Sequence, residues 1–587
     1  MKRCPECRRD YHDDTLLYCL EDGAALVQGS VPALSEPGAI ATGFLSSDDG
    51  PQTAILSEPG AIATGFVSGD ESATRAQVFT TDQTAILPSG ITQIPKAFDK
   101  RLLLAPLVLA VVALGGFFGY RYFTQSSQIE SIAVMPFVNE SGNQDVEYLS
   151  DGMTETLIKS LSQIPGLNVK PRSSVFRYKG KDIELQAIAK DLNVQAILNG
   201  RVVQRGDQLT LSLELVDASK DSVIWTESYN RKQSDLVALQ SEIARDVLTN
   251  LKAKLSGADA QKATKSYTDN AEAYQLYLKG RYHWNRRTSE DLHKAVDHFT
   301  AANEKDDQFA LAYSGLADTY SVLQYYQGSR SNDFVSKAMP YAVKAVELDD
   351  GLAEAHSSLA FVNESSWKWA EAEREYQRAL ELNPNYSSAL LRFGRFKVRV
   401  PKRDAEGLDM VKRALEIEPS LAVISDNLSQ MYLSQGKTDL AFDTSKITVE
   451  LDPNFSFGWI DLAYGQLVRG QFTDARASAE KVVAITKRSS RSLICLAVVA
   501  AASGDRDEAK DIIKELEQRY DGRQADAVDV AAAYAGLGDT DQTFAWLDKA
   551  FADHSSLLVD LRAEYPFARL LDDPRMNDLR RRMNLPE

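Results

Sequence analysis

The stretch AHSSLAFVNESSWKWAEAEREYQRALELNP, Ala355 to Pro384, decides the architecture of the C-terminal half of the chain. Its small and apolar residues recur at helical spacing in two blocks. Leu359 and Ala360 hold the packing positions of a first helix, and Ala372, Tyr376 and Ala379 those of a second. Pro384 ends the unit, because a proline cannot continue a helix. Ala360 and Ala372 are small where the paired helices must approach; larger side chains would splay them. Working outward, the same marks return at Gly394, Ala414 and Pro419, then at Leu428, Ser429, Tyr432, Ala441 and Pro453. They return again at Trp459, Leu462, Ala463 and Ala475, at Ala497 with Ala509, and at Ala531, Tyr534 and Ala550. Toward the N-terminus the units are longer: Gly280 with Ala295, Phe299 and Ala302, then Leu316, Ala317, Ala338 and Ala345.

The period of about 34 residues and the small-residue positions resemble the tetratricopeptide repeat, a helix-turn-helix unit. The resemblance implies an all-α solenoid of about eight repeats over 270–560. A unit of this kind cannot bury its apolar face alone, so the array needs a terminal cap. The closing segment YPFARLLDDPRMNDLRRRMNLPE resembles the tail that ends such arrays, and 561–587 is expected to be that cap. Arg580, Arg581 and Arg582 read as a solvated face at a helix C-terminus. A repeat array of this kind implies a concave groove that takes a protein or peptide ligand.

Before the repeats, 129–256 alternates strand and helix signals. Ile132–Phe137 reads as a buried strand, and Leu149, Met153, Leu157 and Leu161 fall on one face of a helix. Asn168 opens a second strand, and Asp182 is expected to cap a second helix. A Gly206-Asp207 turn separates two alternating runs, and Val223–Tyr229 gives another strand, so a mixed-sheet α/β domain is expected. The phrases SIAVMPFVNESGN, EYLSDGMTETLIKSLSQIPGLNVKPRSS, YKGK, ILNGRVVQRGDQLTLSLELVDA and IWTESYNR resemble the TolB-amino-terminal-like, or FlgO-like, domain. In bacteria that domain commonly follows a membrane helix and precedes tetratricopeptide repeats. It supplies no set of catalytic residues.

The run LLLAPLVLAVVALGGFFGY, Leu102–Tyr120, carries no charge and is long enough, at about 1.5 Å per residue, to cross a bilayer core of about 30 Å as a helix. Lys96, Lys100 and Arg101 precede it against Arg121 after it. The positive-inside bias then places the N-terminus in the cytoplasm and the C-terminal domains on the periplasmic or extracytoplasmic side of the inner membrane. Gly115 and Gly119 have the GxxxG spacing that lets two spans pack as a homodimer. Chance in a glycine-containing span accounts for it more simply.

The chain begins MKRCPECRRDYHDDTLLYCLEDG. Cys4 and Cys7 have the CxxC spacing that turns two thiolates toward one metal ion, Cys19 supplies a third, and Asp22 stands where a second pair would place its last cysteine. His12 is the competing fourth ligand. With Tyr11, Asp13, Gly23 and Leu26, these marks resemble the short zinc ribbons at the N-termini of many bacterial membrane proteins, which implies structural zinc over 1–27. A redox thiol pair and an unmetallated tail are the competing readings. Residues 28–99 are expected to be a disordered linker, rich in Ser, Gly, Pro, Asp and Thr. Within it LSEPGAIATGF occurs twice, at Leu34–Phe44 and Leu56–Phe66. The duplication reads as relaxed spacer more readily than as a partner-binding token.

A formal charge of −17 over 587 residues argues against a general nucleic-acid surface. Four cysteines, three of them in the first nineteen residues, do not describe a disulfide scaffold, and Cys495 in SLICLAVVA reads as a core residue. No phosphate loop, kinase signature or cyclase metal-carboxylate segment is present in the sequence. The histidines His12, His283, His293, His298, His356 and His554 form no ligand motif. Asp145 and Asp151-Gly152 read as a capped strand-to-helix turn. The expected function is therefore a non-catalytic, membrane-anchored scaffold for protein–protein interaction. The competing expectation is a transmembrane signalling regulator whose zinc ribbon contacts a cytoplasmic partner or nucleic acid.

Overall fold

The computed structural model describes residues 129–251, 261, 263–327, 329–400 and 402–586, together with the backbone of 2–3, 10–11 and 27–28. The span Leu102–Tyr120, the linker beyond Gln28, and Cys4, Cys7, His12, Cys19 and Asp22 lie outside the described residues. Among the described residues no helix is long and apolar enough to cross a membrane. The chain divides into two compact units, Met1–Ser126 and Ser127–Glu587.

In the first unit β1 (Lys2–Arg3) pairs antiparallel with β2 (Asp10–Tyr11) on one side and β3 (Val27–Gln28) on the other. The register Arg3↔Asp10 brings together the two ends of the segment that contains Cys4 and Cys7.

The second unit opens with a mixed sheet of β4 (Ser131–Val134), β5 (Val138–Asn139), β6 (Asn168–Val169), β7 (Ala196–Arg205), β8 (Gln208–Asp217) and β9 (Ser222–Lys232), ordered β6-β4-β7-β8-β9, with β5 on β7. β4 is parallel to β6 and β7, whereas β7, β8 and β9 form an antiparallel meander. The continuous apolar run of β4 fits a strand covered on both faces. Four helices accompany the sheet: α1 (Glu147–Ser162), α2 (Arg172–Phe176), α3 (Leu185–Leu192) and α4 (Leu236–Asn250). Leu149, Met153, Leu157 and Leu161 form the buried stripe of α1, as their spacing predicts.

Two local expectations are corrected. Asp182 does not cap the second helix, which begins at Leu185 after Glu184. Asp151 and Gly152 lie inside α1 rather than at its start, because the chain turns helical earlier, in a 3-10 turn capped by the Asn143 side chain. Asp151 pairs with Lys179, and Gly152 admits Leu278, to which a Cβ would come within 2.9 Å.

Eight helical hairpins follow. They are α5 (Ala271–Arg286) with α6 (Ser289–Lys305), α7 (Ala310–Tyr326) with α8 (Ser331–Leu348), α9 (Ala353–Ser365) with α10 (Trp369–Leu382), and α11 (Ser387–Arg399) with α12 (Asp404–Ile417). The array continues as α13 (Ala422–Ser434) with α14 (Thr438–Leu451), α15 (Ser456–Val468) with α16 (Phe472–Thr486), α17 (Ser490–Ala502) with α18 (Arg506–Asp521), and α19 (Ala527–Leu537) with α20 (Thr540–Ala552). Two 3-10 turns, Ser556–Asp560 and Tyr565–Leu570, lead to a final helix, α21 (Pro574–Arg582).

The sheet domain and the first hairpins share one core, which holds Leu157 and Ile243 together with Tyr277, Leu278 and Phe299. Their polar contacts are equally direct. Glu155 of α1 accepts hydrogen bonds from Arg281 at 2.6 Å and Asn285 at 2.6 Å, and Tyr274 donates to Thr156 at 3.1 Å.

The first helix of each hairpin is buried more completely than the second. α9 buries 11 of its 13 residues and α10 only 4 of 14, so α9 must be covered on two sides and α10 on one. The second cover is the chain's own C-terminal segment. A single buried cluster contains Phe361, Trp369 and Phe396 from the third and fourth hairpins together with Leu558, Phe567 and Met583. The solenoid has thus come round far enough for its end to close on the second to fourth hairpins.

Candidate functional site on the inner wall of the solenoid

The inner wall is built by the first helices, and the segment 555–570 runs along it. At one end Ser331, at the start of α8, donates to Asp526 through its hydroxyl at 2.8 Å, and Ser555 donates to the same carboxylate at 2.7 Å. Ser556 meets Gln324 of α7. Asp560 then sits among three donors: Tyr325 at 3.0 Å, Arg395 at 2.9 Å, and Arg399, which also pairs with Glu364. Arg562 donates to the Val398 carbonyl at 2.6 Å and pairs with Asp404 at 2.9 Å. Glu564 pairs with Arg491 of α17, and Tyr565 stacks on Tyr464 of α15 with ring centroids 4.8 Å apart. Leu557, Leu558, Val559, Leu561 and Phe567 are buried between these polar anchors.

The electrostatics follow from burial. Burial alone would push the Asp560 carboxyl up, but the guanidinium groups of Arg399 and Arg395 outweigh it and hold that carboxyl well below the usual range. Nearby, Asp426 and Asp461 face each other, each with one buried oxygen that meets no other donor. Burial pushes Asp426 up to about 7, and burial with the neighbouring Asp426 raises Asp461 well above the carboxylate range. Asp529 is likewise pushed up to about 7, by burial and then by Asp526.

The sign of the pH dependence is set by these raised values. The folded state binds more protons than the unfolded chain between the ordinary carboxylate pKa of about 4 and about 7, so stability falls as pH rises through that window. Moving from pH 5.5 to 8.5 is expected to lower the unfolding free energy of this unit, read as a drop in urea midpoint. Asp461→Asn should flatten the dependence. A variant with the full wild-type slope would show that this pair does not titrate in that window.

Of the residues singled out in the sequence, Cys495 is fully buried, and burial pushes its thiol far above a reactive range. His283 and His298 stack at 5.4 Å, with His283 bound to Asp291 at 2.8 Å. Among the described residues no group of three or more His, Cys, Asp or Glu side chains could hold a metal ion. The inner-wall arginines and their carboxylates were not singled out; arginines at 392, 395 and 399 on one helix were the available signal.

Comparison with known proteins agrees with the repeat geometry. Residues 353–386 match the model of the tetratricopeptide repeat. The third hairpin is thus similar to a tetratricopeptide repeat, and the other hairpins share its helix-turn-helix form. Such repeats generally mediate protein–protein interaction. Residues 127–246, the stretch expected to be TolB-amino-terminal-like, match the HilA/YgeH-like transcriptional regulator, second domain. A curated relative, the putative adenylate cyclase 3 of Rhizobium meliloti (strain 1021), is 33% identical over 151 residues, which is 26% of this chain and 26% of that protein. The chain thus spans about a quarter of that relative's length. Similar solved structures include the one titled for the functional characterization of Pseudomonas aeruginosa pilF, 24% identical, covering 37% of this chain and 94% of that one with a TM-score of 0.29. Another is YrrB, titled a TPR protein with an unusual peptide-binding site, 19% identical over 33% of this chain and 95% of that one, with a TM-score of 0.23.

Proposed function

We propose that this chain is a non-catalytic, membrane-anchored scaffold whose solenoid receives a protein or peptide segment on its inner wall. The observation that carries the reading is the grip on 555–570: the wall already holds a segment of two 3-10 turns by arginine–carboxylate pairs and a tyrosine stack. The anchor is the span Leu102–Tyr120, with the repeats and the TolB-amino-terminal-like domain outside the cytoplasm. The test is photo-crosslinking in the full chain in its membrane, with a photoreactive residue at Tyr326 on the inner wall or at Val343 on the outer. A discrete adduct from position 326 and none from 343 is expected. Equal adducts from both positions would contradict the proposal.

The N-terminal unit is proposed to bind structural zinc through Cys4, Cys7, Cys19 and Asp22, with His12 as the alternative fourth ligand. The donor set suits zinc, and β1 and β2, which flank the first two thiols in the sequence, pair antiparallel. Metal analysis of the purified chain should give about one zinc per chain, a value that Cys7→Ser reduces severalfold. A Cys7→Ser protein with undiminished zinc would refute the assignment.

A second reading, a transmembrane signalling regulator whose zinc ribbon contacts a cytoplasmic partner or nucleic acid, is favoured by one observation. Residues 127–246 match a domain named for transcriptional regulators.

A further inference from the structure

The inner wall carries a row of arginines, and all but one of those facing the groove have a carboxylate. Arg392 pairs with Asp318 at 2.8 Å, Arg395 and Arg399 share Asp560, and Arg491 holds Glu564. Arg281 holds Glu155 at 2.6 Å. The exception is Arg287, immediately after α5. Its guanidinium lies over the Trp284 ring, 3.8 Å from the centroid, and no carboxylate lies within ion-pair distance of it among the described residues. Its electrostatic neighbours are Tyr326 and Asp318 of α7, Arg392 of α11 and Arg281 of α5, so Asp318 faces it but is already committed to Arg392.

A second, independent observation lies beside it. The Trp284 indole N–H is buried and has no acceptor among the described residues, while two guanidinium groups, those of Arg281 and Arg287, lie over its ring. Buried donors are ordinarily satisfied, and a half-buried cation among other cations is costly without a counter-charge.

We propose that Arg287 and Trp284 form a binding site for a carboxylate side chain of an acidic peptide segment entering along the inner wall. The occupant is argued from the wall itself. One stretch of it takes the carboxylates of Asp560 and Glu564 from a segment of this chain built of two 3-10 turns, and Arg287 offers the same group with no carboxylate on it among the described residues. Arg287 supplies charge and a planar donor pair, and the indole N–H supplies a third donor. The proposal rests on the reading of the inner wall as a peptide-binding surface.

The test is equilibrium binding of a labelled hexaglutamate peptide to the detergent-solubilised full chain. Arg287→Ala is expected to weaken binding at least tenfold, with its thermal unfolding unchanged. Trp284→Phe, which keeps an aromatic surface and removes the orphan donor, is expected to weaken it about threefold, as one hydrogen bond to a charged group would. Arg286→Ala, the adjacent exposed cation, should leave binding unchanged. Inorganic phosphate at matched charge should not displace the peptide. Equal losses for positions 286 and 287 would overturn the proposal, as would displacement by phosphate or the absence of binding to the wild-type chain. A position-326 adduct that survives Arg287→Ala would leave the scaffold reading standing while this one falls.

Discussion

Asp560→Asn is expected to destabilise the Ser127–Glu587 unit by about 3–5 kcal/mol, the usual cost of removing one partner from a buried ion pair. The carboxylate is 4% exposed and is the common partner of Arg395, Arg399 and Tyr325, which come from two different hairpins. Asparagine keeps the shape and one acceptor but removes the charge. Arg395 is then left with no carboxylate, while Arg399 retains Glu364. The measurement is the shift in urea midpoint, completed by a cycle with Arg395→Met. The double variant should lose less than the sum of the two single variants, because the buried cation is removed with its anion. The wild-type pair has its own pH signature. The folded carboxyl is held below its unfolded value, so its contribution is present above about pH 4 and is lost as pH falls through the folded value. Acid sensitivity below about pH 4 should therefore be smaller in Asp560→Asn than in the wild type. A loss under 1 kcal/mol would mean that 555–570 does not hold the closure.

The second large effect is expected at Phe299. Its ring is fully buried in the first hairpin, packed between two glycines: a Cβ on Gly280 would lie 2.5 Å from the ring, and one on Gly315 2.8 Å. Tyr277 covers it with a centroid distance of 5.8 Å. Glycines have no side chain to move into a void, so Phe299→Ala should leave most of the ring's volume as a cavity and cost about 3–5 kcal/mol. Phe299→Leu should recover roughly half of that, which separates cavity formation from a general intolerance of substitution. Because Phe299 belongs to the core that joins the sheet domain to the repeats, the loss should appear in amide exchange of α1 as well as α6. Loss confined to α6 would show that the two domains unfold independently.

Much of this architecture is local, and what is local was legible. The period of the repeats, the small residues Ala360 and Ala372, and the stripe Leu149, Met153, Leu157 and Leu161 depend on neighbours within one or two helical turns, or one hairpin away. All of them are buried in the positions their spacing predicts. Cys495 lies in a helix that is apolar all round from Leu493 to Ala502, and such a helix must be covered all round. The inner wall was not legible, because its pairs are set by the accumulated turn of the solenoid. Asp560 meets residues 161 and 165 positions away, and Ser331 meets Ser555 across 224. No periodicity spans such separations. The tail 561–587 was read as a cap, although its first part, 561–570, lies along the inner wall and α21 alone caps the last hairpin, with Met576 and Leu579 buried and Arg582 on Asp548 at 2.6 Å. The misplaced caps at Asp151 and Asp182 have a simpler cause: a short acidic residue before an apolar stripe fits a helix start and a first turn equally well.

The closure of the inner wall by the chain's own C-terminal segment is the feature on which the binding proposals depend. Amide hydrogen exchange over residues 556–567 of the full chain, read by mass spectrometry, tests it directly. Protection comparable to that of α9 and α11, and reduced in Asp560→Asn, is the predicted result. Complete exchange of 556–567 within seconds, while α9 and α11 stay protected, would contradict it.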